Sequence, residues 1–265
     1  MKKIVLVFPA AAIALLAGCG SSGSAALSKT FNYGAPQAPS AAEQAAATSA
    51  QSSLSDAAAF SAAPDGTRGA SVVAFVDQLA SAALGAAPVG IAAPTPAATR
   101  ALVSSAFTSD CTKVAGDTVT FTNCAETDSG FTLTLNGSIS ASAGTVSWNI
   151  SGGFSGSNTG VSVNLTVHQE GSMTVTATTI KGHGTSDFSG SASGNGQSAS
   201  FGLSTAAVVD LTYQTAPAYC VTSGTVEVKR VWTERPQGAS GPDFADAGVK
   251  ISWTGCDAYG VAHSI

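Results

Sequence analysis

The chain has 265 residues, a formal charge of -5 and only 10% charged residues, where an average soluble protein carries about 25%. Its 11 Lys and Arg residues form no basic cluster beyond the N-terminus, which excludes a basic nucleic-acid binder. Beyond residue 19 no stretch of ~18 apolar residues occurs, so a multispan helical membrane protein is excluded, and a 44% hydrophobic content argues against acidic disorder.

Lys2 and Lys3 form a short basic start, and Ile4 to Leu16 is a 13-residue apolar run. That run is too short to span a bilayer and has the length of a secretory signal. It ends in Leu16-Ala17-Gly18-Cys19, which resembles the lipobox of bacterial lipoproteins. The resemblance covers the export segment alone. It implies cleavage after Gly18 and acylation of Cys19, so that residues 1–18 are a signal peptide and Cys19 carries the lipid, palmitate included. Gly20 follows the cysteine; by the sorting rule of enteric bacteria a non-Asp residue there implies the outer membrane. Loss of Lys2 and Lys3 leaves nine basic against 16 acidic residues, a mature charge of -7. Such a body is not drawn to anionic headgroups, so the lipid must do the anchoring.

Residues 19–40 read as a flexible tether, with Ser21-Ser22-Gly23-Ser24 and later Gly34, Pro36 and Pro39. About 20 extended residues would reach several tens of Å from the membrane. Residues 41–107 read as an Ala-rich helical segment. A first helix is expected over 41–61, with Ser40 and Glu43 spaced as a capping box. Pro64-Asp65-Gly66 marks a turn. A second helix is expected from Gly69 to Leu84, because Val72, Phe75, Val76 and Leu79 recur on one helical face. Ala98 to Phe107 reads as a short third helix.

Residues 108–265 read as an antiparallel β domain. From Thr118 the apolar period changes to two, with Val119 and Phe121 first, then Phe131, Leu133, Leu135 and Ile139. Val146, Trp148 and Ile150 follow, then Val161 to Val167, Met173 to Ala177, Phe201 to Tyr213, Val226 with Val228, and Val249 to Trp253. Thr and Ser opposite these positions give the half-buried alternation of antiparallel strands. Turns are expected at Ala143-Gly144, Ser157 to Gly160, Glu170-Gly171 and Ser193 to Gly196. The fold class is therefore α+β, mainly β: a meander of about nine to eleven strands forming a curved sheet or half-barrel against one or two helices.

Four cysteines remain after Cys19: Cys111, Cys124, Cys220 and Cys256. An even number in an exported chain implies two disulfides, with three pairings allowed. Cys111–Cys124 and Cys220–Cys256 are favoured, since each ties strands near one another in the chain. No CxxC occurs and the three histidines lie far from the cysteines, so no metal site is expected.

Catalytic motifs are lacking: there is no G-x-S-x-G, S-x-x-K, P-loop or HExxH. His183 and Asp187 read as a polar turn, and Asp243 with Asp246 as a solvated loop. Glu227, Lys229, Arg230, Glu234 and Arg235 read as a solvated strand-end cluster. Trp148 and Trp253 share parity with their apolar neighbours, and Trp232 does so with Val226 and Val228, so core or cavity positions are expected for all three. No enzyme and no cofactor are expected.

Three functions are compatible with this reading. The first is a non-catalytic envelope lipoprotein binding a hydrophobic ligand or acyl chain in a cavity lined by Phe121, Leu133, Trp148, Val163 and Leu211. The order of signal, tether, helices and meander resembles LolA/LolB-type half-barrel lipoprotein carriers in architecture. The second is a structural or adhesive surface module that meets an envelope protein partner. The third is an outer-membrane β-barrel, disfavoured by the cysteines and by a terminus without an aromatic residue.

Overall fold

The computed structural model describes residues 24–265 apart from 53, 66–67, 74–109, 129, 159, 195–196, 238–239, 242–243 and 257. Among the described residues, helices α1 (Ala25–Ser28), α2 (Ala41–Ser52) and α3 (Leu54–Ala62) precede the strands. Ten strands follow: β1 (Thr112–Ala115), β2 (Thr118–Asp128), β3 (Phe131–Ser142), β4 (Thr145–Asn158), β5 (Val161–Val175), β6 (Thr179–Gly194), β7 (Gln197–Gln214), β8 (Cys220–Glu234), β9 (Ala247–Gly255) and β10 (Ala258–His263). All pair antiparallel with their sequence neighbours in one sheet of order β1 to β10. The sheet is open, because β1 and β10 each have a single strand partner. An open sheet leaves edge groups unpaired, which a membrane-spanning barrel cannot do; the barrel expectation is therefore set aside.

The alternation read from the sequence assigns the faces. Val146, Met173, Val209, Val226, Ile251 and Val261 form one buried apolar face, here the inner face. Ser, Thr and charged residues occupy the outer face, where cross-strand hydroxyl pairs such as Thr145–Thr174 (3.1 Å) and Ser147–Ser172 (3.1 Å) form. Ala47 of α2 and Leu54, Ala57 and Phe60 of α3 cover part of the inner face. A further helical run at 68–73 adds Val72 and Val73. Its Gly69 lies so close to Val146 and Ile139 that a Cβ would stand 3.0 Å from the Val146 side chain. The rest of the expected second helix and the whole of the third lie outside the described residues. The capping box is present: Ser40 donates its N–H to Glu43 Oε2 (2.6 Å), and Glu43 donates its N–H to Ser40 Oγ (3.3 Å).

Two expectations change. The turn expected at Glu170-Gly171 is strand, and β5 runs 15 residues without a break. Gly171 is there for space: a Cβ would collide with the Trp148 ring from β4. The true turn lies at 176–178, where the Thr176 hydroxyl accepts the Thr179 N–H (3.0 Å). The second change concerns the tether. From Ser24 onward this segment is held against the sheet. Ala26 is fully buried on Ala206 and Val231 of the outer face. The Ser24 hydroxyl meets that of Ser204 (2.8 Å), which also accepts the Ala26 N–H (3.0 Å). The strap then rounds the β10 edge: Tyr33 bridges Ser264, Gln37 bridges Val261, and α2 begins on the inner face. It thereby covers an edge that would otherwise invite pairing with another chain.

Both disulfides take the favoured pairing, Cys111–Cys124 and Cys220–Cys256. The first joins β2 to the chain entering β1. The second closes the β8–β9 pair at the end away from its connecting loop.

Candidate functional site

The inner face divides into two apolar clusters. The larger lies beneath α2, α3 and the 68–73 run. The smaller holds Ala192, Phe201, Leu203 and Trp232, with half-buried Val163, Leu165 and Phe188 beside them. Leu133 and Phe154, which pair across β3 and β4, are also half-buried, and Phe154 pairs onward with Leu165. Phe131 and Phe154 stack at 5.2 Å. Among the described residues of the smaller cluster, only Phe244 comes from outside the sheet strands; its ring lies 5.4 Å from that of Trp232.

A polar row separates the clusters. Gln169 pairs with Ser186, Ser186 with Thr205, and Thr205 with Arg230, across β5 to β8. Gln169 Nε2 donates to Ser186 Oγ (3.2 Å), and Thr205 Oγ1 donates to the Ser186 carbonyl (3.2 Å). Arg230 is 3% exposed, and its Nη2 donates to the Ala245 carbonyl (2.9 Å). A buried guanidinium requires such partners, since desolvation penalises the charge. Next to it, the Trp232 indole Nε1 is buried without a hydrogen-bond partner, a cost of roughly 1–3 kcal/mol for a stranded donor.

The five residues expected to line one cavity fall in two places. Phe121, Trp148 and Leu211 are buried in the helix-covered cluster. Val163 packs against the smaller cluster, and Leu133 lies half-buried in the cross-strand row of Phe154, Leu165 and Phe201. Trp148, Trp232 and Trp253 all point to the inner face, as their parity indicates. Cys19 lies outside the described residues, and so does Asp243. Asp246 is occupied: it pairs with Lys29 (3.1 Å) and accepts the backbone N–H of Trp232 (3.0 Å).

The charged cluster expected at a strand end is only partly there: Glu234 ends β8 and Arg235 follows it, whereas Glu227, Lys229 and Arg230 lie mid-strand and are split between faces. Lys229 is 7% exposed on the outer face, where its Nζ donates to the Lys29 carbonyl (2.8 Å). Arg230 is on the inner face. The parity that placed Trp232 beside Val226 and Val228 also places Arg230 there; that signal was available, and the density of neighbouring charges obscured it. His183 and Asp187, expected in a polar turn, lie instead within the continuous strand β6, where Asp187 is the cross-strand neighbour of His168. His168 Nδ1 meets Ser151 Oγ (3.1 Å), and its Nε2 lies 3.5 Å from Glu170. His168 and Glu170 are partly exposed, with about two-fifths of each side chain open to solvent (40% and 43%).

Two further part-buried side-chain links tie the strap and the start of α2 to the sheet. Tyr33 donates to Glu227 (2.7 Å); burial and this carboxylate push its phenol well above the ordinary range. Glu43, 2% exposed, meets His263 Nε2 at 2.6 Å. Burial acts to raise the Glu43 carboxyl, but the Ser40 N–H and hydroxyl and the His263 ring outweigh it and hold it below its usual value.

Comparison of the chain with protein-family models, with curated proteins and with solved structures gave no match. The site is therefore read from its own geometry. Among the described residues no helix is long and apolar enough to cross a membrane, and no group of His, Cys, Asp and Glu could hold a metal ion.

Proposed function

We propose that this protein is a non-catalytic envelope lipoprotein, anchored through Cys19 in the outer membrane, that holds an acyl chain or similar hydrophobic ligand on the smaller cluster of the inner face. The observation that carries the reading is the contrast in cover. One part of the face is closed by helices, while Leu133, Phe154, Val163, Leu165 and Phe188 remain half-buried on long, rigidly paired strands. Ligand sites of this kind are mostly apolar and aromatic, with few polar groups. The buried Trp232 Nε1, without a hydrogen-bond partner, becomes a donor for an ester or carboxyl oxygen once ligand entry parts the packing around it, and Arg230 lies in the adjoining row.

The test is purification of the mature protein from its native envelope, followed by mass spectrometry of an organic extract. A stoichiometric acyl lipid is expected. Purification without lipid, together with failure to bind a fluorescent 16-carbon fatty acid, would move the assignment to a structural or adhesive module.

A further inference from the structure

The docked strap leaves very little chain between the anchor and the body. Ser24 is fixed to Ser204, and Ala26 is buried on Ala206 and Val231. Cys19 precedes Ser24 by five residues, a span of at most about 17 Å when fully extended. If Cys19 is acylated, Ser24 must lie within that distance of the lipid headgroups.

This bound restricts how the sheet sits. Ser204 stands seven residues from Gln197 at one end of β7 and ten from Gln214 at the other. At ~3.3 Å per residue these are about 23 and 33 Å. A sheet standing on either strand end would hold Ser24 beyond reach of its own anchor. A sheet lying on its helix-covered face would require the chain to round the β10 edge and pass a helical layer about 10 Å thick, again beyond reach. The position on the outer face satisfies the bound directly.

From this geometry we infer that the outer side of the sheet, the strap over β7 and β8 together with the bare face of β5 and β6 beside it, is apposed to the lipid surface and the helix-covered inner face points away from it. The inference rests on the lipoprotein reading of Cys19. The chemistry of that face fits a headgroup layer. Glu170, Asp187 and Asp210 alternate with Lys29, Lys181 and Lys250, so opposite charges balance, and the remaining positions are largely hydroxyls, while Glu227 and Lys229 pair beneath the strap. Lys181 and Asp210 already pair at 2.8 Å. Such a surface is neither expelled by anionic lipid nor strongly bound to it, so the lipid and the short linker set the position.

Carboxyl footprinting with a carbodiimide and a small amine tests this. The full acylated protein is placed in 3:1 phosphatidylethanolamine:phosphatidylglycerol vesicles and compared with a Cys19→Ala protein in solution. Glu170 and Asp210, exposed on the outer face, should label at least threefold less on vesicles, while Asp56 on α3 is unchanged. Insertion of 20 Gly and Ser residues between Gly23 and Ser24 should restore their labelling to within twofold while vesicle binding persists. Equal labelling of Glu170 and Asp210 in the native-length, vesicle-bound protein would overturn the orientation alone. If the Cys19→Ala protein floats with vesicles as the parent does, the anchor reading itself fails, and the orientation with it.

Discussion

On β5, Met173 and Leu165 stand eight residues apart on the same face of the same strand. Met173 is fully buried beneath the helical layer, whereas Leu165 is only half-buried among aromatic neighbours. Their strand geometry and their alternation with polar residues are alike; the difference lies in what covers them. Alternation therefore defines which residues face inward, while a separate segment decides whether that face becomes core or remains accessible. The row from Gln169 to Arg230 marks the border, and its buried polar groups must be satisfied on the spot.

The largest effect should come from the covered end. In the chain-entropy view a disulfide stabilises by closing a loop. Cys220–Cys256 spans 36 residues and Cys111–Cys124 spans 13, so replacing the first pair by Ser should cost about 4 kcal/mol and the second about 3 kcal/mol. Denaturant unfolding of the two double variants gives the order; a reversed order would show that the β1–β2 entry is held mainly by its covalent link. Next, Leu211→Ala, at a fully buried position, should cost about 3 kcal/mol. Leu165→Ala should cost about 1 kcal/mol or less, because less area is removed from water. Equal losses would remove the distinction between the two ends.

The capping link between helix and sheet edge should contribute less. Glu43→Gln is expected to lower stability by about 1–2 kcal/mol at pH 7. The folded carboxyl titrates below its unfolded value. Its contribution is thus complete above the unfolded value of about 4.3 and is lost as pH falls through the lower folded value. The parent and the variant should differ by a constant amount near neutrality and converge below about pH 4. A difference that persists in acid would mean that the charge of Glu43 is not what holds His263.

The fold was legible where one period persisted. Val146, Trp148 and Ile150, or Val209, Leu211 and Tyr213, indicated both strand and face, and the Ser40–Glu43 spacing marked a helix start. Gly171 misled because a glycine after a charged residue has the appearance of a turn; its actual cause, the Trp148 ring, comes from another strand. The strap misled for a related reason. Gly34, Pro36 and Pro39 exclude regular helix and continuous strand, but they do not prevent Tyr33 and Gln37 from pairing with the β10 edge. Ala26, a residue with no distinctive signal, is buried because Ser204 and Ala206 leave a shallow seat on the opposite face. The candidate site was legible only in part. Val163 and Leu133 were found by parity, whereas the polar row depends on the register of four strands, which no local pattern contains.

The smallest change in stability carries the sharpest test of the site. Trp232→Phe removes the buried indole N–H while keeping an aromatic ring against Phe201 and Phe244, its neighbours at 6.1 and 5.4 Å. Lost contact area destabilises the variant; relief of a stranded donor stabilises it by a comparable amount. Net stability should therefore shift by less than about 1 kcal/mol. Ligand affinity should move independently. If Nε1 donates to a ligand oxygen, the variant should bind a 16-carbon fatty acid roughly five- to tenfold more weakly, the value of one hydrogen bond. Binding of an alkane of equal length should be unchanged, because only the acceptor has lost its partner. A parallel fall for both compounds would assign Trp232 to shape alone and leave the half-covered aromatic face, without its donor, as the basis of recognition.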